Sequence, residues 1–143
     1  MLILTNFKST QDQIAKRKCI ILTGRVHPGE SNSSYVVEGL IQFLVSNDDV
    51  AKVLRDRYVF KIVPMLNPDG VIIGNYRCSL SSHDLNRQYL NPSPKLFPEC
   101  YAIKQMMRKT LECRKIELYC DFHGHSRQKD VFIYGCQNPS SSQ

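Results

Sequence analysis

The sequence has no tryptophan, no Cys-x-x-Cys pair, no internal repeat and no long basic run. Each absence excludes something. No apolar stretch approaches the ~20 residues of a membrane span. Basic residues never cluster beyond Lys16-Arg17-Lys18, and no aromatics interleave with them, so no nucleic-acid groove is expected. Met1 to Lys8 lacks a basic segment followed by a long apolar core, which makes it a poor secretory signal. The spacing of the six cysteines at 19, 78, 100, 113, 120 and 136 excludes a zinc finger. Cys19, Cys120 and Cys136 fall inside apolar runs, which predicts reduced, buried thiols in a cytoplasmic protein rather than a disulfide framework. What is present is ordinary for a globular domain: 42% hydrophobic and 22% charged residues, with 7 Gly and 7 Pro among 143. That composition excludes a disordered tail and a collagen-like rod. The formal charge of +6 suits an acidic partner without choosing one.

The apolar pattern predicts an α/β fold, a mainly parallel mixed sheet with flanking helices. Cys19 to Gly24 reads as a central strand covered on both faces. Val26-His27-Pro28-Gly29-Glu30 breaks the chain, and a helix follows from about 33 to 44, with Val36, Leu40, Phe43 and Leu44 on its inner face. Asp48 caps a second helix through Arg57, with Val50, Val53 and Leu54 inward. Tyr58 to Leu66 is a buried strand, and Asn67-Pro68-Asp69-Gly70 reads as a turn. Residues 71–98 form a long, polar, irregular stretch of the kind that usually carries function. Pro98 opens a helix to Cys113, with Ile103, Met106, Met107 and Thr110 on one face. Ile116 to Phe122 is a third strand and Val131 to Gly135 a weaker fourth.

Two strand ends carry metal-competent residues: His27 and Glu30, spaced His-x-x-Glu, and then Asp121, His123 and His125. Ligands of α/β sheets bind beyond the carboxyl ends of strands, so the two groups converge if the third strand lies beside the first. Two histidines and one carboxylate make a catalytic zinc set with an open position. The competing reading is that His27 and Glu30 cap the following helix and that His123 is a satisfied polar group. Arg77, Asn86 and Arg87 lie in the long loop. Asn beside Arg suits a carboxylate, although Arg87 could equally form an ion pair with Asp84 or Asp69.

Five strings in order, Val26-His27-Pro28-Gly29-Glu30-Ser31, Pro64 to Val71 (containing Asn67-Pro68-Asp69-Gly70), Gly74-Asn75-Tyr76-Arg77-Cys78-Ser79-Leu80, Asp84-Leu85-Asn86-Arg87 and Cys120-Asp121-Phe122-His123-Gly124-His125-Ser126, resemble the cytosolic carboxypeptidases. These are zinc metallocarboxypeptidases of the tubulin-deglutamylase type. The resemblance implies that His27, Glu30 and His123 bind one zinc ion. It implies that Arg77 is catalytic and stabilises the oxyanion, and that Asn86 and Arg87 bind the substrate's terminal carboxylate. His125 lies near the substrate backbone by the same analogy. Asp121 could orient a zinc ligand, or simply end a strand. The implied substrate is an acidic C-terminal protein tail such as that of tubulin. The implied location is the cytoplasm, at microtubules or cilia, with no nucleic acid and no membrane involved.

The same resemblance puts the general-base glutamate and a substrate-covering tyrosine downstream of the last zinc ligand. Residues 124–143 contain no Glu, and their only Tyr is Tyr134. The expected organisation is an N-terminal segment 1–18, a partial catalytic domain 19–136 and a polar tail 137–143, with the chain an inactive fragment. Two other readings stay open: a zinc aminoacylase related to aspartoacylase, and a non-catalytic module that binds zinc or acidic tails.

Overall fold

The computed structural model describes residues 1–135. Cys136 and the polar tail expected at 137–143 lie outside the described residues. Four strands form one sheet in the order β1-β3-β2-β4. They are β1 (Leu2–Leu4), β2 (Lys18–Gly24), β3 (Tyr58–Val63) and β4 (Ile116–Phe122). β2 runs parallel to both β3 and β4, and β1 pairs antiparallel with β3 at the edge. The fold is mixed α/β, as the order of apolar runs predicts.

The helices are α1 (Gln11–Lys16), α2 (Ser31–Val45), α3 (Asp49–Arg57), α4 (Pro68–Ile73) and α5 (Pro98–Cys113). Two cores lie on opposite faces of the sheet. On one, Val37 and Leu44 of α2 meet Leu22, Phe60 and Ile62. On the other, Cys100 and Ile103 of α5 meet Val26, Leu66, Leu85 and Phe97. Fully buried side chains such as Leu44 and Ile62 each contribute roughly 2–3 kcal/mol. β2 is covered on both sides, with Cys19, Ile21 and Thr23 at 0% exposure and Leu22 at 4%. Burial pushes the Cys19 and Cys100 thiols up, Cys100 to about 11, so both remain protonated.

Several local expectations are corrected. In α2, Leu44 is buried and Leu40 packs on the core as expected, but Ser33 and Val37 are the other buried positions, and Val36 and Phe43 are 52% and 37% exposed. Ser33 is held inward by its hydroxyl, which donates to the Glu30 carbonyl and accepts from the Arg25 N–H. In α3 the small Ala51 is buried, while Val50 and Val53 face out. Asp48 caps it as expected, accepting from the Val50 and Ala51 N–H groups. β3 ends at Val63. Asn67-Pro68-Asp69-Gly70 starts α4 instead of making a free turn: Asn67 accepts from the Gly70 N–H, and Pro68 occupies the first helical position, where no N–H is needed. Val131 to Gly135 forms no strand. Val131 and Ile133 are 97% and 90% exposed, with no neighbouring strand among the described residues to pair with. In α5, Ile103 and Thr110 are buried and Met106 and Met107 pack on the core, as expected.

Candidate metal centre

The parallel register of β2 and β4 sets Gly24 level with Phe122. The segments leaving both strands therefore emerge at the same sheet edge. This juxtaposition brings His27, Glu30 and His123 together, with one ligand atom from each lying within 4.8 Å of the others.

The details argue against the helix-cap reading. Glu30 sits at the N-cap position of α2 yet makes no side-chain cap bond. Its Oε1 lies 2.9 Å from His27 Nδ1, and its Oε2 lies 3.0 Å from His123 Nδ1. Oε2 also accepts from the Gly124 N–H at 2.8 Å. The two rings stand 5.0 Å apart between centroids. Each ring is held from behind by a second carboxylate: His27 Nε2 by Asp84 Oδ1 at 2.9 Å, and His123 Nε2 by Asp121 Oδ2 at 2.8 Å. A carboxylate on the distal nitrogen fixes a metal-binding imidazole as the Nε2–H tautomer and leaves Nδ1 for the ion. The hydrogen bond that His123 donates to Asp121, with the charges of Asp121 and Glu30, outweighs burial and raises the His123 pKa. Two imidazole nitrogens and a carboxylate, all facing one point, fit a divalent zinc ion in chemistry and number.

The loop that carries His27 and Glu30 is braced by contacts within the chain itself. Arg25 Nε donates to the Pro28 carbonyl at 2.7 Å. The fully buried Asn67 donates from Nδ2 to the Val26 carbonyl at 3.1 Å. Gly29 N–H donates to the Tyr76 carbonyl at 2.7 Å, tying the Arg77 loop to the metal loop. Gly70 leaves room for Pro28: a Cβ there would lie 2.5 Å from Pro28 Cγ and 2.8 Å from the Cys78 carbonyl oxygen. Gly70→Ala is therefore expected to destabilise the fold by about 1–3 kcal/mol, the usual range for overpacking, and to weaken zinc binding. Urea unfolding and zinc titration of the variant check both effects.

The remaining expected residues divide. Arg77 is brought to the site through Asp84, with Nε and Nη2 each 2.8 Å from Oδ2. Asn86 and Arg87 belong to the short 3-10 helix Leu85–Arg87, whose first turn Asp84 caps through the Asn86 N–H. Asp84 is thus engaged by His27 and Arg77, and the ion pair considered between Asp84 and Arg87 does not form. Arg87 is exposed, and among the described residues its side chain donates only to the Asn86 carbonyl. His125 turns into its own loop, where Nδ1 accepts from the Arg127 and Gln128 N–H groups and the ring packs on Phe132. No contact joins it to the cluster among the described residues.

Sequence reasoning missed the part played by Asp84. Burial raises its pKa, but the His27 hydrogen bond, the Asn86 N–H and the charges of His27 and Arg77 win, and the net shift is downward. An acidic residue directly before Leu85-Asn86-Arg87 was the available signal.

A mixed sheet that brings two histidines and a glutamate together beyond its strand ends has the arrangement of a zinc-carboxypeptidase fold. The comparisons agree. The zinc carboxypeptidase family model matches residues 1–142, and the chain belongs to that family. Within it, the chain is 51% identical to Mus musculus cytosolic carboxypeptidase 2 over 138 residues, which is 96% of this chain and 16% of that protein. It is 54% identical to Mus musculus cytosolic carboxypeptidase 1 over 125 residues, 87% of this chain and 10% of that protein. A solved putative carboxypeptidase A from Shewanella denitrificans superposes with a TM-score of 0.76 at 34% identity, covering 86% of this chain and 30% of the other. The chain thus spans 10–16% of the length of these curated relatives.

Proposed function

We propose that His27, Glu30 and His123 hold one zinc ion, and that this site serves the removal of C-terminal glutamate, or another C-terminal residue, from acidic protein tails such as that of tubulin. The observation that carries the reading is the convergence of both Nδ1 atoms on the Glu30 carboxylate, with both Nε2 atoms already engaged. When bound, zinc supplies Lewis acidity toward a carbonyl and toward water. Arg77 uses two of its donors on Asp84 and keeps the others for a substrate oxygen. Its positive charge stands beside the cluster, where an oxyanion would develop; such a contribution is worth roughly 3–4 kcal/mol in other enzymes. Arg87, with Asn86 beside it, offers a charged fork to a terminal carboxylate. That pairing admits a chain end and makes the activity exopeptidic. We assign His125 a contact with the substrate backbone. The net charge of +6 favours acidic tails. The relatives' names place them in the cytosol, and we place this chain there too, at microtubules or cilia. No helix among the described residues is long and apolar enough to cross a membrane.

The test compares a zinc-loaded chain binding a glutamate-rich peptide with a free C-terminal carboxylate and the same peptide as its C-terminal amide. The free acid is expected to bind at least about tenfold tighter, a difference that Arg87→Ala removes, since charge-assisted bidentate bonds are worth a few kcal/mol. Equal binding of acid and amide contradicts the exopeptidase reading. Preference for an N-acyl-aspartate over the peptide would favour the aminoacylase instead.

A further inference from the structure

Thr23 is fully buried in the central strand β2, yet it carries a hydroxyl. A buried hydroxyl needs partners, and those of Thr23 lead to the metal centre. Its Oγ1 donates to Asp121 Oδ1 at 2.7 Å and lies 3.1 Å from the Tyr119 hydroxyl. Threonine has a single hydroxyl proton. With that proton given to Asp121, Tyr119 must be the donor to Thr23. Burial, followed by the charge of Asp121, raises the Tyr119 phenol, so Tyr119 keeps the proton this arrangement requires. The other oxygen of Asp121 holds His123 Nε2 at 2.8 Å. Tyr119 thus donates to Thr23 and Thr23 to Asp121, which also accepts from His123 Nε2, so one line of hydrogen bonds connects all four.

A β-bulge builds this line of contacts. Cys19 pairs with Ile116 but Ile20 pairs with Leu118, so Glu117 is an extra residue in β4. Beyond the bulge, Thr23 stands opposite Asp121. Without the extra residue Cys120 would stand there, and Cys120 packs with the α2 core on the other face of the sheet. A one-residue slip turns every side chain to the opposite face. Glu117 itself is held outside by Lys18 at 3.0 Å and Lys115 at 3.2 Å.

We propose that Thr23, oriented by Tyr119, is a positioning residue for the metal centre: it locks the Asp121 carboxylate so that His123 keeps its proton on Nε2 and presents Nδ1 to the ion. This rests on the assignment of His27, Glu30 and His123 as zinc ligands.

The experiment titrates zinc into the 143-residue chain in competition with a chromophoric chelator, for wild type, Thr23→Val, Thr23→Ser and Tyr119→Phe. Valine keeps the shape and loses the hydroxyl, whereas serine keeps the hydroxyl. Thr23→Val is expected to weaken zinc binding about tenfold, the lower end of the range for residues that orient a ligand. Thr23→Ser should restore affinity to within about threefold of wild type, and Tyr119→Phe should weaken it by about threefold. Affinity in Thr23→Val equal to wild type overturns the proposal, as does equal weakening in the valine and serine variants, which would mark a packing role. If Thr23→Val does not fold, the conservative Tyr119→Phe decides, and unchanged affinity there overturns the proposal. A wild-type chain that binds no zinc overturns the ligand assignment itself, an outcome distinct from the others.

Discussion

Glu30→Gln is expected to abolish stable zinc binding while the chain still folds. Among the described residues Glu30 is the only carboxylate that both histidine Nδ1 atoms face, and it supplies the negative charge at the centre of the cluster. Glutamine keeps the size and one acceptor oxygen, and that oxygen can still accept from the Gly124 N–H. It cannot offer a charged oxygen to an ion. A structural zinc site is worth ~10–16 kcal/mol over about four ligands, so losing one costs on the order of 3–4 kcal/mol, or several hundredfold or more in affinity. Chelator competition measures this directly, and circular dichroism of the metal-free variant confirms the fold. Affinity within tenfold of wild type would show that Glu30 is not a ligand.

Asp84→Asn is the second large effect. Every contact of this side chain is with a donor: His27 Nε2 and the Asn86 N–H on Oδ1, Arg77 Nε and Nη2 on Oδ2. A carboxylate accepts all four. An amide replaces one oxygen with an NH₂ that must face either His27 or Arg77, donor against donor. His27 then loses the partner that fixes its tautomer, and Arg77 loses its anchor. Zinc affinity is expected to fall about 10–100-fold. In an enzyme that carries these residues, turnover should fall by more than zinc loss explains, because Arg77 no longer holds its place. Saturating zinc separates the two effects. Full activity at saturating zinc would mean that Asp84 acts on His27 alone.

Much of this site was readable along the chain because its signals are local. His27 and Glu30 share one tight turn, and Asp121, His123 and His125 leave one strand. The buried runs of β2 and β3 are legible as apolar stretches, β4 is legible as a β-prone stretch after a helix, and a mainly parallel sheet follows from the helices between them. The contacts that complete the site were not readable, because they join distant positions. Asp84 reaches His27 only after a long loop folds back, and its place before Leu85-Asn86-Arg87 marks it without showing which residue it holds. Thr23 looks like a β-branched filler in an apolar run until the bulge at Glu117 sets Asp121 opposite it. Asn67-Pro68-Asp69-Gly70 was read as a turn because the residues that favour turns also favour helix starts. The Asn67 cap and Pro68 at the first helical position start the helix there, and Gly70 lets it pack against Pro28. β1 has three residues and no periodicity to detect.

The most direct test is the zinc content of the purified 143-residue chain after dialysis, measured beside His123→Ala. About one equivalent per chain that disappears in the variant is the predicted result, since a set of two histidines and one carboxylate holds a single ion. It would show that residues 27, 30 and 123 meet around a metal as the sheet register implies. Zinc retained at the same level in His123→Ala, or absent from the wild-type chain, would contradict the account.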